Sequence, residues 1–181
     1  MKVVMIHEVY DWMLNIDLSD FDVITFDDGL YSQYTNHKHF LKFNKPMHFF
    51  ISTNIICPEE VFQNKEVFSC RQSHEYYFNY GDLTNYMKWS QIKEIERTKN
   101  CFIGGHSHAH IDLRKSQIKD VYNSVRAECE LMLKTFKQQN IDITSFAYPY
   151  NFNALGYEST LRSKGINQFF GHERTAIEEL K

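Results

Sequence analysis

The chain has no pair of cysteines at C-x-x-C spacing. Its four cysteines stand apart at 57, 70, 101 and 129, which excludes a zinc knuckle and a paired-thiol redox motif and suits free thiols in a reducing compartment. It has no apolar run near the roughly 20 residues that a membrane-spanning helix needs. It has no basic excess: 20 Lys and Arg face 23 Asp and Glu, a net charge of −3, so no nucleic-acid footprint is visible. Residues 1–10 lack the long apolar stretch and small-residue cleavage site of a signal peptide, and a cytoplasmic location is the expectation. There is no internal repeat, low-complexity tract or linker, so residues 1–181 read as one domain, large enough to bury roughly 70% of its unfolded surface.

What is present is a globular composition: 43% hydrophobic residues, 15 Phe, 11 Tyr and nine His. Short β-branched and aromatic runs alternate with helical patterns, which predicts parallel strands and an α/β fold. Strands are expected at 2–6, 21–26, 47–51, 101–103, 143–148 and 166–170. Helices are expected at 31–43, at 89–97 with Ser90 as N-cap, from Ser116 to about 139, and at 154–164. Apolar positions 118, 122, 125, 129, 132 and 136 give the clearest helical period. Residues 55–88 fit none of this. They form an aromatic-rich excursion, read as a local core of packed rings or as a substrate-covering loop with aromatic platforms.

Asp27 and Asp28 follow the second strand and precede Gly29, which permits a sharp exit. The C-terminal ends of such strands are where catalytic groups collect in α/β proteins. Side chains alternate along a strand, so both carboxylates face one site only if the strand has ended. At that distance they need a metal or a basic group between them. Past the middle of the chain, His106, Ser107, His108, Ala109 and His110 follow a glycine pair. One Asp plus two His makes a three-ligand site with an open position, the catalytic pattern for zinc, with iron, cobalt and nickel as other fits. His106 and His110, at i and i+4, can converge, and His108 then points away.

T-F-D-D-G at 25–29, H-S-x-x-H at 106–110 and F-A-Y-P-Y at 146–150 resemble, in this order, the motifs of the polysaccharide deacetylases, the NodB-like carbohydrate esterase family 4. Trp89 to Ile92 resembles the helix before the histidine motif. The resemblance implies a distorted (β/α) barrel, incomplete or rebuilt at its last strands. It implies a divalent metal on Asp28, His106 and His110, with Asp27 as base and the backbone N–H of Tyr150 helping to hold the oxyanion. It implies removal of an N-acetyl group from a sugar; the expected cytoplasmic location then favours a precursor of a surface polysaccharide or lipopolysaccharide.

Three departures stand out. Ala147 occupies the place of the family's Arg that orients the catalytic Asp. Asn151 replaces the Gly after the Tyr. The late His that serves as acid has one candidate near the C-terminal end, His172, with His7 as the other option in the chain. Two rival readings follow: a sugar-binding module that keeps the fold without activity, and a metal-dependent amidohydrolase or phosphoesterase using His106 and His108.

Overall fold

The structure is a computed structural model that describes residues 1–181, apart from the side chain of residue 119. Seven strands, β1 (Val3–Ile6), β2 (Val23–Phe26), β3 (Met47–Ile51), β4 (Cys101–Gly105), β5 (Ser145–Ala147), β6 (Gln168–Phe170) and β7 (Thr175–Ala176), form one sheet in the order β6-β5-β4-β3-β2-β1-β7. Every pairing is parallel. Five helices complete the fold: α1 (Tyr31–Phe40), α2 (Cys70–Tyr80), α3 (Trp89–Glu96), α4 (Ile118–Gln139) and α5 (Tyr157–Arg162).

The connection from β6 to β7 dictates the curvature. These strands are neighbours in sequence but occupy opposite edges of the sheet. Laid flat, six strand spacings amount to roughly 29 Å. The five peptide steps from Phe170 to Thr175 reach at most about 18 Å. The sheet therefore has to curl until its edges approach, giving an open, distorted (β/α) barrel, as expected. Residues 171–174 cross the gap. Val3, Val23, Phe50, Ala147 and Phe170 pack together as one buried cluster. The larger core lies between sheet and helices, where Val121, Val125, Cys129, Met132 and Phe136 of α4 are buried. Those positions repeat the period seen in the sequence, except that Ile118 and Tyr122 are exposed.

Several boundaries differ from the sequence reading. The third strand spans the expected residues, whereas β5 and β6 are short. The glycine pair forms the last two residues of β4, so the strand runs to Gly105 and not only to Ile103. A Cβ on Gly104 would come within 2.5 Å of the Phe50 ring, and one on Gly105 within 2.5 Å of Met132 Sδ, so the pair serves close packing. Lys88, not Ser90, is the N-cap of α3, because the Ser90 hydroxyl donates to Glu59 instead. Gln117, not Ser116, caps α4.

The excursion holds an element that composition did not show. α2 begins behind a Ser69–Gln72 capping box and ends on Gly81 in the left-handed region. Tyr86 is fully buried with Leu30 and Ile55, and Tyr77 packs against them. The expected ring core is thus real but small, since Tyr76, Phe78 and Tyr80 are exposed. Among the described residues, no helix is long and apolar enough to cross a membrane.

Candidate active site

The β2 exit is built as the residue types demand. Asp28 and Gly29 both take positive φ, 73° and 70°, which turns the chain so that neighbouring carboxylates reach one cavity. Gln33 of α1 donates from Nε2 to the carbonyls of Asp27 and His7, tying the ends of β1 and β2 together. On β4's side, Ser107 and His110 also adopt positive φ. Ser107 Oγ accepts from the His110 N–H, and Ser52 at the end of β3 donates to the His106 carbonyl. Glu128, buried on α4, accepts from the N–H groups of His108 and Ala109 at 3.0 and 2.7 Å. One carboxylate thus holds the turn between the two histidines.

These supports bring Asp28, His106 and His110 together, each at most 3% exposed. Both imidazole Nε2 atoms lie 3.2 Å from Asp28 Oδ1, and the three donor atoms fall within 4.8 Å of one another. His106 Nδ1 lies 2.8 Å from the Ala147 carbonyl. A carbonyl only accepts, so Nδ1 carries the proton and Nε2 of the neutral ring presents a lone pair. Asp28 Oδ1 is buried without a hydrogen-bond partner. Two imidazole nitrogens, one of them fixed as a lone pair, beside an unpartnered carboxylate oxygen are a donor set that fits a divalent cation.

Asp27 sits beside this triad in a different state. Arg174, on the segment that crosses the barrel gap, grips its carboxylate with two bonds of 2.7 Å. Arg174 also donates to Thr25 Oγ1, Asn151 Oδ1 and the Gly171 carbonyl. Burial alone would raise the Asp27 carboxyl, but the Arg174 charge, helped by His106, holds it below the usual range. Burial acts on Asp28 in the same sense and is outweighed by His74, His110 and His106, which hold it well below that range. The sequence reading missed Arg174. It looked for an arginine at the Ala147 position, and nothing local marks a guanidinium 147 residues downstream of Asp27.

The cavity of about 100 Å³ is lined by His7, Asp27, Asp28, Cys70, His74, His106, His110, Tyr148, Tyr150 and Asn151. Tyr150, at positive φ, packs its ring 4.7 Å from His110 and under the Arg114 guanidinium. Cys70 and His74 come from α2, so the excursion reaches into the site. Two histidines stand outside the cavity, His108 as expected and His172 against expectation. His108 turns away, its Nδ1 2.8 Å from Thr53 Oγ1, so the pairing of His106 with His108 required by one rival reading is not assembled. His172 is exposed and lines a separate cleft with Glu173 and Asn153. Positions 171–174 send the Arg174 side chain inward, and His172 is left on the solvent side.

Comparison with solved structures adds the fold family. IcaB from Ammonifex degensii matches over 97% of this chain and 84% of its own, with a TM-score of 0.63 and 17% identity. The de-N-acetylase from Aggregatibacter actinomycetemcomitans matches over 97% and 92%, with a TM-score of 0.63 and 14% identity. The Streptococcus pyogenes deacetylase PplD, solved with acetate, matches over 97% and 91%, with a TM-score of 0.60 and 12% identity. The fold is that of the polysaccharide deacetylases. No family model and no curated protein sequence matches the chain. Within the deacetylase fold, the Asp pair stands at the C-terminal end of β2 and the two histidines follow β4, where a parallel barrel places its chemistry.

Proposed function

We propose that the chain is a metal-dependent hydrolase that removes an N-acetyl group from a saccharide. The observation that carries this is the division of labour between adjacent carboxylates. Asp28 faces the Nε2 atoms of His106 and His110, and Asp27 is held outside that triad by Arg174. A binding module needs the triad at most. A second buried carboxylate, kept ionised beside it, is what a general base requires.

Asp28, His106 and His110 would hold the cation, with zinc, iron, cobalt or nickel all compatible with the donors. When bound, a divalent cation lowers the pKa of water and polarises a carbonyl. Asp27 then takes a proton from the attacking water, and Arg174 keeps its carboxylate oriented and ionised. Tyr150 closes the wall beside His110, and its backbone N–H is the oxyanion donor in this reading. The leaving amine needs a proton. His172 lies outside the cavity, so that role passes to one of the two lining histidines beyond the triad, His7 or His74. The de-N-acetylase neighbour and the acetate in the streptococcal structure support an N-acetylated sugar as the substrate class.

The test is acetate release from N-acetylated saccharides by metal-loaded Asp27→Asn, His106→Ala and His108→Ala proteins. Asp27→Asn should keep its metal and lose about 10²–10⁴-fold in rate. His106→Ala should lose metal, and His108→Ala should retain it. A metal-replete wild type that turns over no N-acyl saccharide would return the chain to the binding-module reading.

A further inference from the structure

Asp28 has more donors around it than one cation uses. His106 and His110 approach Oδ1 at 3.2 Å, with His74 Nε2 beyond them at 3.7 Å. Oδ2 faces another pair: Cys70 Sγ at 3.0 Å and His7 Nε2 at 4.0 Å. The donor atoms of His7, Asp28 and Cys70 also lie within 4.8 Å of one another. The two triads share the residue Asp28, and the nearest approaches divide between its two oxygens. His7 and Cys70 belong to none of the motifs that pointed to the fold family.

The second triad is held in place from outside. Cys70 opens α2, whose Ser69–Gln72 capping box fixes the first turn. The Cys70 N–H donates to Glu8 Oε2 at 2.8 Å. That bond pins the start of α2 to the residue following His7, so the thiol and the imidazole arrive together. The thiol donates to Asp28 Oδ2, which puts its proton on the line where a cation bridging sulfur and oxygen would sit. Charge allows the exchange. Asp27, Asp28 and Glu8 are buried carboxylates, and the Arg174 guanidinium is engaged by Asp27. A first divalent cation balances the remaining two negative charges. A second, bound as the thiol proton leaves to solvent, would leave one positive charge for an anionic oxygen.

We propose that Asp28 bridges two divalent cations: one on Oδ1 with His106 and His110, and a second on Oδ2 with His7 and Cys70. The second set mixes N, O and S donors, a combination suited to zinc and to its spectroscopic substitute cobalt. This rests on the first triad being a metal site.

The experiment loads chelator-stripped, fully reduced protein with Co(II), removes the excess, and reads both bound cobalt and the near-ultraviolet sulfur-to-cobalt charge-transfer band. The wild type should hold about two cobalt ions per chain, as two-metal hydrolases do, and show the band. Cys70→Ser should drop to about one and lose the band, as a lone three-ligand site would. His7→Gln should likewise drop to about one, with far-ultraviolet circular dichroism confirming that both variants are folded. One cobalt per chain without the band overturns the second site and leaves the first intact. One cobalt with a band that disappears in both Cys70→Ser and His106→Ala also overturns it, because the thiolate then serves the first cation. No cobalt at all overturns both sites.

Discussion

At the scale of single residues, an arginine does for Asp27 what the proposed cation would do for Asp28. Removing one partner of a buried, bidentate pair leaves an uncompensated charge, which costs about 3–5 kcal/mol. Arg174→Met should therefore destabilise the fold by about that amount in urea unfolding. Asp27→Asn combined with Arg174→Met should recover much of the loss, because the charge left behind in the single variant is gone. If the two effects simply add, the pair is not coupled and Arg174 packs for some other reason. The motif residues were legible in the sequence because their chemistry is local. Asp27 and Asp28 precede a glycine, and His106 and His110 stand four residues apart, although the turn that joins them is built on left-handed Ser107 and His110 and is not the helical turn the spacing suggested. Arg174 was not legible, because a guanidinium finds its carboxylate through the curl of the sheet, and no spacing rule encodes that. His172 misled for the related reason that residues 171–174 cross as a turn and not as a strand, so no alternation rule says that Arg174 goes inward while His172 and Glu173 stay outside.

Among the elements, α4 does more than cover the sheet. Its apolar stripe was the most readable feature of the chain, yet Glu128 lies within that helix and carries the histidine turn. Glu128→Gln keeps the size but gives up the charge that strengthens both backbone bonds. Outer supports of this kind are typically worth 10–100-fold in metal affinity. Competition with a chelator should show a loss of that order, with the helical circular dichroism unchanged. An unaltered affinity would mean that Ser52 and Ser107 hold the turn unaided. α2 was invisible for the opposite reason. Its aromatics do not repeat on one face, Tyr76, Phe78 and Tyr80 are exposed, and its start is defined by a cap and by contacts with Glu8 and Asp28 that belong to distant elements.

For the whole molecule, acid stability follows from histidines that the barrel buries. His48 stacks near Phe50, Phe102 and Phe170, with Nδ1 3.0 Å from Ser145 Oγ. Burial pushes it down to about 4 from 6.5. The unfolded chain takes up a proton below about pH 6.5, whereas the folded chain resists until about pH 4. Stability is thus fully present above the unfolded value and falls as pH drops through that window, by an amount on the order of 3 kcal/mol for this group. Below it, His48 contributes no further slope. Unfolding free energies measured from pH 7 to 4 should fall less steeply in His48→Gln than in the wild type. Equal slopes would show that other groups govern the acid limb.

The four residues that step across the barrel gap also impose a timetable. The cation triad draws only on the ends of β2 and β4, and those strands meet through β3. The Asp27–Arg174 grip spans 147 residues, and contacts that close loops of this length carry the larger entropic toll and tend to form late. A nascent or refolding chain can therefore assemble its cradle for a cation before its proton acceptor is armed. Under the proposed function, competence would arrive with that crossing, and a cradle formed earlier would stay chemically silent until Arg174 reaches Asp27.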